Sequence, residues 1–288
     1  MRRLLLLAVL ALVVAGCDLA DIPGDGPLRY RDEIFASTTK TTDVTYGSAV
    51  NQAGQTVTLK LDVYRPAGDS VTVRPVVIWV HGGSFRGGDK ASPEIVDEAT
   101  TFARKGYVTA SINYRLSTNG CSSSGSTGEC VTAINQARED AQAAVRFFRR
   151  RAGTYGVDPT RIAIGGTSAG AITALNVGYQ PDHPGASGNP GYSSAVGAAL
   201  SLSGAVIFTG EVGPGDAPAL LFHGTQDPLV PYPWAQDTVE AAQAEGLRAY
   251  LITWEGEGHV PYTAHRDEII HLSTNFVYRT LDAGNAGH

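Results

Sequence analysis

Arg161-Ile162-Ala163-Ile164-Gly165 is a short apolar run of the kind that forms a buried strand, and Ala171-Ile172-Thr173-Ala174-Leu175-Asn176-Val177 can form a helix. Between them stands Gly166-Thr167-Ser168-Ala169-Gly170, a G-x-S-x-G pattern. A strand that turns at once into a helix must bend sharply, and glycines on both flanks let the backbones approach without a Cβ clash. Ser168 then sits at the tip of the turn, hydroxyl outward, above a helix N-terminus whose N–H groups favour developing negative charge. In a chain with 34 glycines the pattern could also be a plain strand-to-helix turn carrying a solvated serine.

Three other segments decide between those readings. Upstream, the apolar run Arg74-Pro75-Val76-Val77-Ile78-Trp79-Val80 ends in His81-Gly82-Gly83-Ser84-Phe85. Acyl transfer generates an oxyanion, which needs preorganised N–H donors. A Gly-Gly turn beyond a strand end can aim two amides inward, so Gly82 and Gly83, joined by Ala169, are the candidate oxyanion-hole donors. Downstream, Pro218-Ala219-Leu220-Leu221 leads to Phe222-His223-Gly224-Thr225-Gln226-Asp227-Pro228-Leu229-Val230-Pro231, which places Asp227 on a strand-end loop, where it could orient a histidine or merely close an Asx-type turn. Last, the strand-like Arg248 to Thr253 runs into Trp254-Glu255-Gly256-Glu257-Gly258-His259. Histidine suits a general base because its unperturbed pKa, roughly 6.5, lies near working pH. His81 and His223 end strands and are expected to shape turns; His183 reads as loop, and His265 and His271 flank a helix start. Glu255 and Glu257 lie so close to His259 in sequence that they rank below Asp227 as its partner.

The order nucleophile Ser168, acid Asp227, base His259 is the α/β-hydrolase order. With His81 to Phe85, Ile112-Asn113-Tyr114-Arg115-Leu116, Gly165 to Gly170, His223 to Pro231 and Gly256 to His259, the chain resembles the esterase and lipase branch of the α/β-hydrolases that carries an HGG-x-F/W loop, near carboxylesterases, hormone-sensitive-lipase-like and feruloyl-esterase-like members. The resemblance covers roughly residues 37 to 282. It implies a serine carboxylic-ester hydrolase acting through an acyl-enzyme, with catalytic Ser168, Asp227 and His259; the sequence shows no need of a cofactor, and the open site expected below suits short-chain or polymer-linked esters. Ser84 replaces a third glycine, the N-terminal helical cap is missing, and the acid loop reads HGTQD, so the subfamily departs from the common pattern. Envelope acyl transfer and peptide hydrolysis are the rivals on the same fold. A tethered, non-catalytic binding protein is the rival of a different class, and it predicts a broken triad or oxyanion loop.

Elsewhere, strands and helices alternate: strand 75–80, helix 94–105, strand 107–113, helix 135–151, strand 161–165, helix 169–178, strands 196–202 and 218–223, helix 233–245, strand 248–254 and helix 266–281. With a hairpin of 41–46 and 55–64 in front, the expectation is an α/β domain over 37–288, a mostly parallel sheet of about eight strands covered on both faces, with little or no cap. Fifteen or so residues between the strands at 196–202 and 218–223 leave little room for a lid. An open site is therefore expected, rimmed by the Cys121–Cys130 loop and residues 178–192. A buried Arg115–Asp140 pair is the structural expectation for those two residues.

The N-terminus reads as a targeting segment. Met1-Arg2-Arg3 is positive, and Leu4 to Val14 is apolar over a signal-peptide length. Val14-Ala15-Gly16-Cys17 resembles the bacterial lipoprotein processing box, which implies removal of residues 1–16, lipidation of Cys17, a membrane anchor and a cell-envelope location. Residues 17–36 then read as a lipidated tether. Losing two arginines and no acid would take the net charge from −6 to −8, an acidic balance that argues against nucleic acid as a partner. In an exported chain, Cys121 and Cys130, closing a Ser/Gly loop, read as a disulfide of the order of 2–3 kcal/mol. No CxxC or histidine cluster suggests a metal. The physiological ester and the oligomeric state are not legible.

Overall fold

The computed structural model describes residues 17–121, 128–181 and 183–286. The expected signal segment, residues 1–16, lies outside them, as do residues 122–127 of the disulfide loop.

Eight strands form one sheet: β1 Thr38–Val50, β2 Thr56–Pro66, β3 Arg74–Val80, β4 Val108–Ile112, β5 Val157–Thr167, β6 Ala198–Leu202, β7 Ala219–Gly224 and β8 Ala249–Trp254. Their spatial order is β1-β2-β4-β3-β5-β6-β7-β8. β2 is antiparallel to both β1 and β4, and every pair from β4 to β8 is parallel. The helices are α1 Pro93–Arg104, α2 Gly128–Arg150, α3 Ala152–Tyr155, α4 Ala169–Tyr179, α5 Tyr232–Ala244 and α6 Tyr262–Thr280.

β3 shows why both faces are covered. All seven of its residues are buried. Val76, Ile78 and Val80 point into the core shared with α2, α4 and α5, while Val77 and Trp79 point into the one shared with α1 and α6. A strand has a side-chain period of two, so a continuous apolar run demands helices on each side. Because β3 to β8 run the same way, the loops after β3, β5, β6, β7 and β8 gather at one end of the sheet.

Two boundaries differ from the sequence reading. α2 starts at Gly128, seven residues before the expected start, because Cys130, Ala133, Ile134 and Ala137 continue its buried face toward the N-terminus. Residues 17–36 are not a free tether. Asp18 is 6% exposed, paired with Arg248 at 2.8 Å and accepting from the Tyr250 hydroxyl at 2.8 Å. The Arg31 guanidinium donates to the carbonyls of Ile22, Gly24 and Gly26, and Tyr30 is buried edge-on against Tyr107. Prolines, glycines and charges suggested a solvated leash; here arginines satisfy the segment's carbonyls and hold it to the domain.

The Arg115–Asp140 pair is present. Asp140 is fully buried and takes the Arg115 guanidinium at 2.8 Å, and Arg115 also reaches Glu139, the Val50 carbonyl and the Ser187 hydroxyl. Ser187 lies in the 178–192 stretch, which was expected at the rim of the site. It packs instead on α2 and β1: Ser187 donates to Asp140, and the Asn189 amide donates to the Tyr46 carbonyl.

Candidate active site

Ser168 stands between β5 and α4 with φ 55° and ψ −118°, a conformation an L-residue adopts only under constraint. The constraint is the close packing of the turn. A Cβ on Gly170 would lie 2.0 Å from the Val80 carbonyl oxygen, and one on Gly166 would lie 2.6 Å from it. Both glycines of the G-x-S-x-G pattern are therefore required by the approach of β3. The Ser168 N–H donates to the Leu202 carbonyl at 2.8 Å, which ties the turn to the end of β6.

Two other loops converge on Ser168. His259, in the loop after β8, places Nε2 2.8 Å from Ser168 Oγ. Its Nδ1 lies 2.7 Å from Asp227 Oδ2, in the loop after β7. Asp227 Oδ1 accepts the N–H groups of Leu229 at 2.9 Å and Val230 at 3.0 Å. Burial works against ionising this carboxyl, but the hydrogen bonds from His223, His259 and the two amides outweigh it and hold the group well below the usual carboxylate range. Glu257, the weaker candidate for the acid, faces His265 at 3.3 Å.

The loop after β3 supplies the third wall. A Cβ on Gly82 would come within 3.0 Å of the Thr167 carbonyl and 3.3 Å of Ser168 Cβ, so Gly82 rests directly on the nucleophile turn. Gly83 has φ +115°, and a Cβ there would meet the Gly87 carbonyl at 2.2 Å. Among the described residues the N–H groups of Gly82, Gly83 and Ala169 enter no turn or loop hydrogen bond. Ala169 opens α4, so its N–H has no partner within the helix. Behind the loop, the His81 ring is stacked on Tyr114 and donates from Nδ1 to the Gly82 carbonyl at 2.7 Å. Burial lowers the basicity of His81, with the Gly82 carbonyl opposing that shift. The Cys121–Cys130 disulfide is formed, and the Cys121 N–H donates to the Ser84 carbonyl at 2.9 Å. The disulfide thus braces this loop from outside.

Ser168 and His259 open into a cleft of about 340 Å³. Its lining includes the apolar Leu229 and Val260 and the polar Ser84, Ser92 and Glu94. Only a 3-10 turn, Thr209–Glu211, lies between β6 and β7.

Two residues that the sequence left unassigned help hold this geometry. His223, expected to shape a turn, is fully buried, donates from Nε2 to the Val230 carbonyl at 2.8 Å and stands 3.3 Å from Asp227 Oδ2. Ser203 has φ 56° and accepts the Val260 N–H at 3.0 Å, beside His259. The HG-x-x-D spacing was a signal for the first. For the second there was none, because Ser203 meets Val260 only through the fold. Cys17, the expected lipidation residue, is exposed and unpaired. Its neighbour Asp18 bonds to Arg248 and Tyr250 at the start of β8, the end of the sheet opposite Ser168.

Such an arrangement can activate a hydroxyl, hold an imidazolium and receive an oxyanion. A family model described as BD-FAE matches residues 61–201, and one described as TAP-like protein matches residues 192–277. Gut esterase 1 of Caenorhabditis briggsae is 33% identical over 107 residues, which is 37% of this chain and 18% of that protein. A carboxylic ester hydrolase of Bombus ignitus is 32% identical over 114 residues, covering 39% and 19%. Phenmedipham hydrolase of Pseudarthrobacter oxydans is 34% identical over 124 residues, covering 43% and 23%. The chain thus spans about a fifth of the length of the curated relatives it matches. Among solved structures, esterase 2 of Thermogutta terrifontis superposes with a TM-score of 0.71 over 88% of this chain and 97% of that one, at 23% identity. Strand order, the turn at Ser168 and the superposition on the Thermogutta esterase give the chain an α/β-hydrolase fold.

Proposed function

We propose that this chain is a serine carboxylic-ester hydrolase that works through an acyl-enzyme. The observation that carries the reading is the continuous relay from Ser168 Oγ through His259 to Asp227, at 2.8 and 2.7 Å. Ser168 Oγ attacks the ester carbonyl carbon while His259 Nε2 takes its proton. The carbonyl oxygen becomes an oxyanion facing the amides of Gly82, Gly83 and Ala169. Asp227 keeps the proton of His259 on Nδ1 and stabilises the imidazolium. His259 then gives its proton to the leaving alcohol oxygen as the C–O bond breaks. Water repeats the sequence: His259 takes its proton, hydroxide adds to the acyl carbon, and Ser168 leaves with the proton returned.

The open cleft, without helices inserted between β6 and β7 among the described residues, favours short-chain or polymer-linked esters. The Thermogutta esterase has been solved with butyrate and with propionate bound, in line with a short acyl group. Cys17 is proposed as a lipid anchor in the cell envelope, on the strength of the processing-box pattern. The test is labelling with a fluorophosphonate beside Ser168→Ala. Labelling and ester turnover by the parent, both lost in a folded Ser168→Ala protein, are expected. A folded parent that neither labels nor turns over short esters would overturn the hydrolase reading in favour of a tethered binder.

A further inference from the structure

We propose that Glu94 sets the charge specificity of the cleft, selecting for cationic and neutral esters and against anionic ones. This rests on the hydrolase reading above and names the substrate class it would favour.

Glu94 is in the first turn of α1 and lines the same cavity as Ser168 and His259. Pro93 and Glu94 open the helix, so the carboxylate is favoured by the helix N-terminus and gains some local stability there. That role does not require the side chain to face the cleft, yet Glu94 does. It is half-buried, and no side chain among the described residues pairs with it.

The surrounding cations are committed elsewhere. Arg266 is held by Asp97 at 2.6 Å, and Lys90 by Asp62 at 2.7 Å and Asp43 at 3.3 Å. Arg86 is exposed and outside the cleft lining. Behind Glu94, one helical turn on, Glu98 is 3% exposed, and its Oε2 has no partner. Its carboxyl is pushed well above the usual carboxylate range, first by burial and then by the negative charges of Glu94 and Asp97. His259 is the one other titratable side chain lining the cleft.

A cavity of about 340 Å³ is roughly 7 Å across, so a charged substrate group cannot bind there far from Glu94. At an effective dielectric of about 20–40, one carboxylate over that distance changes the preference between charged and neutral isosteres roughly sevenfold to fiftyfold. A favourable charge raises kcat/KM and an unfavourable one lowers it by a similar factor. Leu229 and Val260, also in the lining, are apolar and carry no charge to oppose this bias.

The experiment compares two isosteric pairs at low salt: acetylcholine with 3,3-dimethylbutyl acetate, and p-nitrophenyl hemisuccinate with p-nitrophenyl butyrate. The parent is expected to prefer the cation in the first pair and the neutral ester in the second, each about fivefold or more. Glu94→Gln should bring both ratios within about twofold, and Glu94→Asp should keep the parental sense. Using ratios removes any general loss of activity in the variants. Ratios near unity in the parent, ratios unchanged in Glu94→Gln, or collapse in Glu94→Asp would each overturn the proposal. Turnover of the neutral esters with charge-blind ratios overturns this inference alone; no turnover and no fluorophosphonate labelling overturns the hydrolase reading with it.

Discussion

Asp227→Asn should disable the proposed hydrolase while leaving its fold intact, and the structure gives the reason. One carboxylate oxygen of Asp227 receives two backbone amides, from Leu229 and Val230; the other faces His259 Nδ1 and His223 Nε2. An asparagine has one acceptor and one donor in those places. With its NH2 toward the amides, donor meets donor at 2.9 and 3.0 Å, and two buried N–H groups lose their acceptor, at about 1–3 kcal/mol each. With its oxygen toward the amides, the NH2 faces His259 Nδ1. That nitrogen must then be bare, and the ring proton moves to Nε2, where it points at Ser168 Oγ instead of receiving its proton. The second arrangement is favoured by roughly 2–5 kcal/mol, so the competent tautomer is scarce by roughly 30-fold to several thousandfold. The same substitution in a serine protease triad lowers kcat by about 10⁴, at the upper end of that range. The assay is p-nitrophenyl butyrate hydrolysis at pH 7.5, with urea unfolding as the control for fold. The expected result is a fall in kcat of two to four orders of magnitude at nearly unchanged KM. A folded Asp227→Asn enzyme retaining more than about a tenth of parental kcat would refute the tautomer argument.

Two further expectations concern the scaffold. Arg115→Met leaves the fully buried Asp140 without its cation and should cost about 3–5 kcal/mol in urea unfolding, whereas Arg115→Met with Asp140→Leu should recover a good part of it; a single variant within about 1 kcal/mol of the parent would contradict this account. The carboxyls of Asp62, Asp69, Asp97 and Asp227 are all lowered, burial opposing the shift and their hydrogen bonds and ion pairs outweighing it. A depressed folded pKa means the unfolded chain binds more protons in acid, so their contribution is complete above about pH 5 and is lost as pH falls through about 4 and below. Glu98, raised by burial, runs the other way and loses its contribution as pH rises through its elevated pKa. Unfolding midpoints in urea from pH 7 to pH 3 should therefore fall steeply only at the acid end, and a midpoint unchanged at pH 3 would count against these pairs.

Much of the site could be read from the chain because its parts are local. Gly166 and Gly170 flank Ser168 within five residues and mark a sharp turn in the sequence, although the steric demand they meet, the Val80 carbonyl, comes from the neighbouring β3. The apolar runs of β3, β5, β6 and β7 announced buried strands, and the order Ser168, Asp227, His259 limited the roles each could take. Boundaries such as the start of α2 were less legible, since its first turns are polar on one side and buried only against the rest of the domain.

What the sequence by itself determined was therefore the chemistry available and the kind of sheet that could carry it, both consequences of side-chain type and short-range periodicity. The tertiary structure alone decided how distant segments meet. It joined Ser203 to the Val260 N–H and His223 to Asp227, brought Glu94 into the cleft, packed Ser187 on α2 and laid residues 17–36 against the domain. These contacts join residues far apart in the chain, and their energies come from burial and from hydrogen bonds that exist only once the sheet has formed. No local pattern encodes them, because the same serine, histidine or arginine would be a solvated loop residue in any chain that did not bring its partner to it.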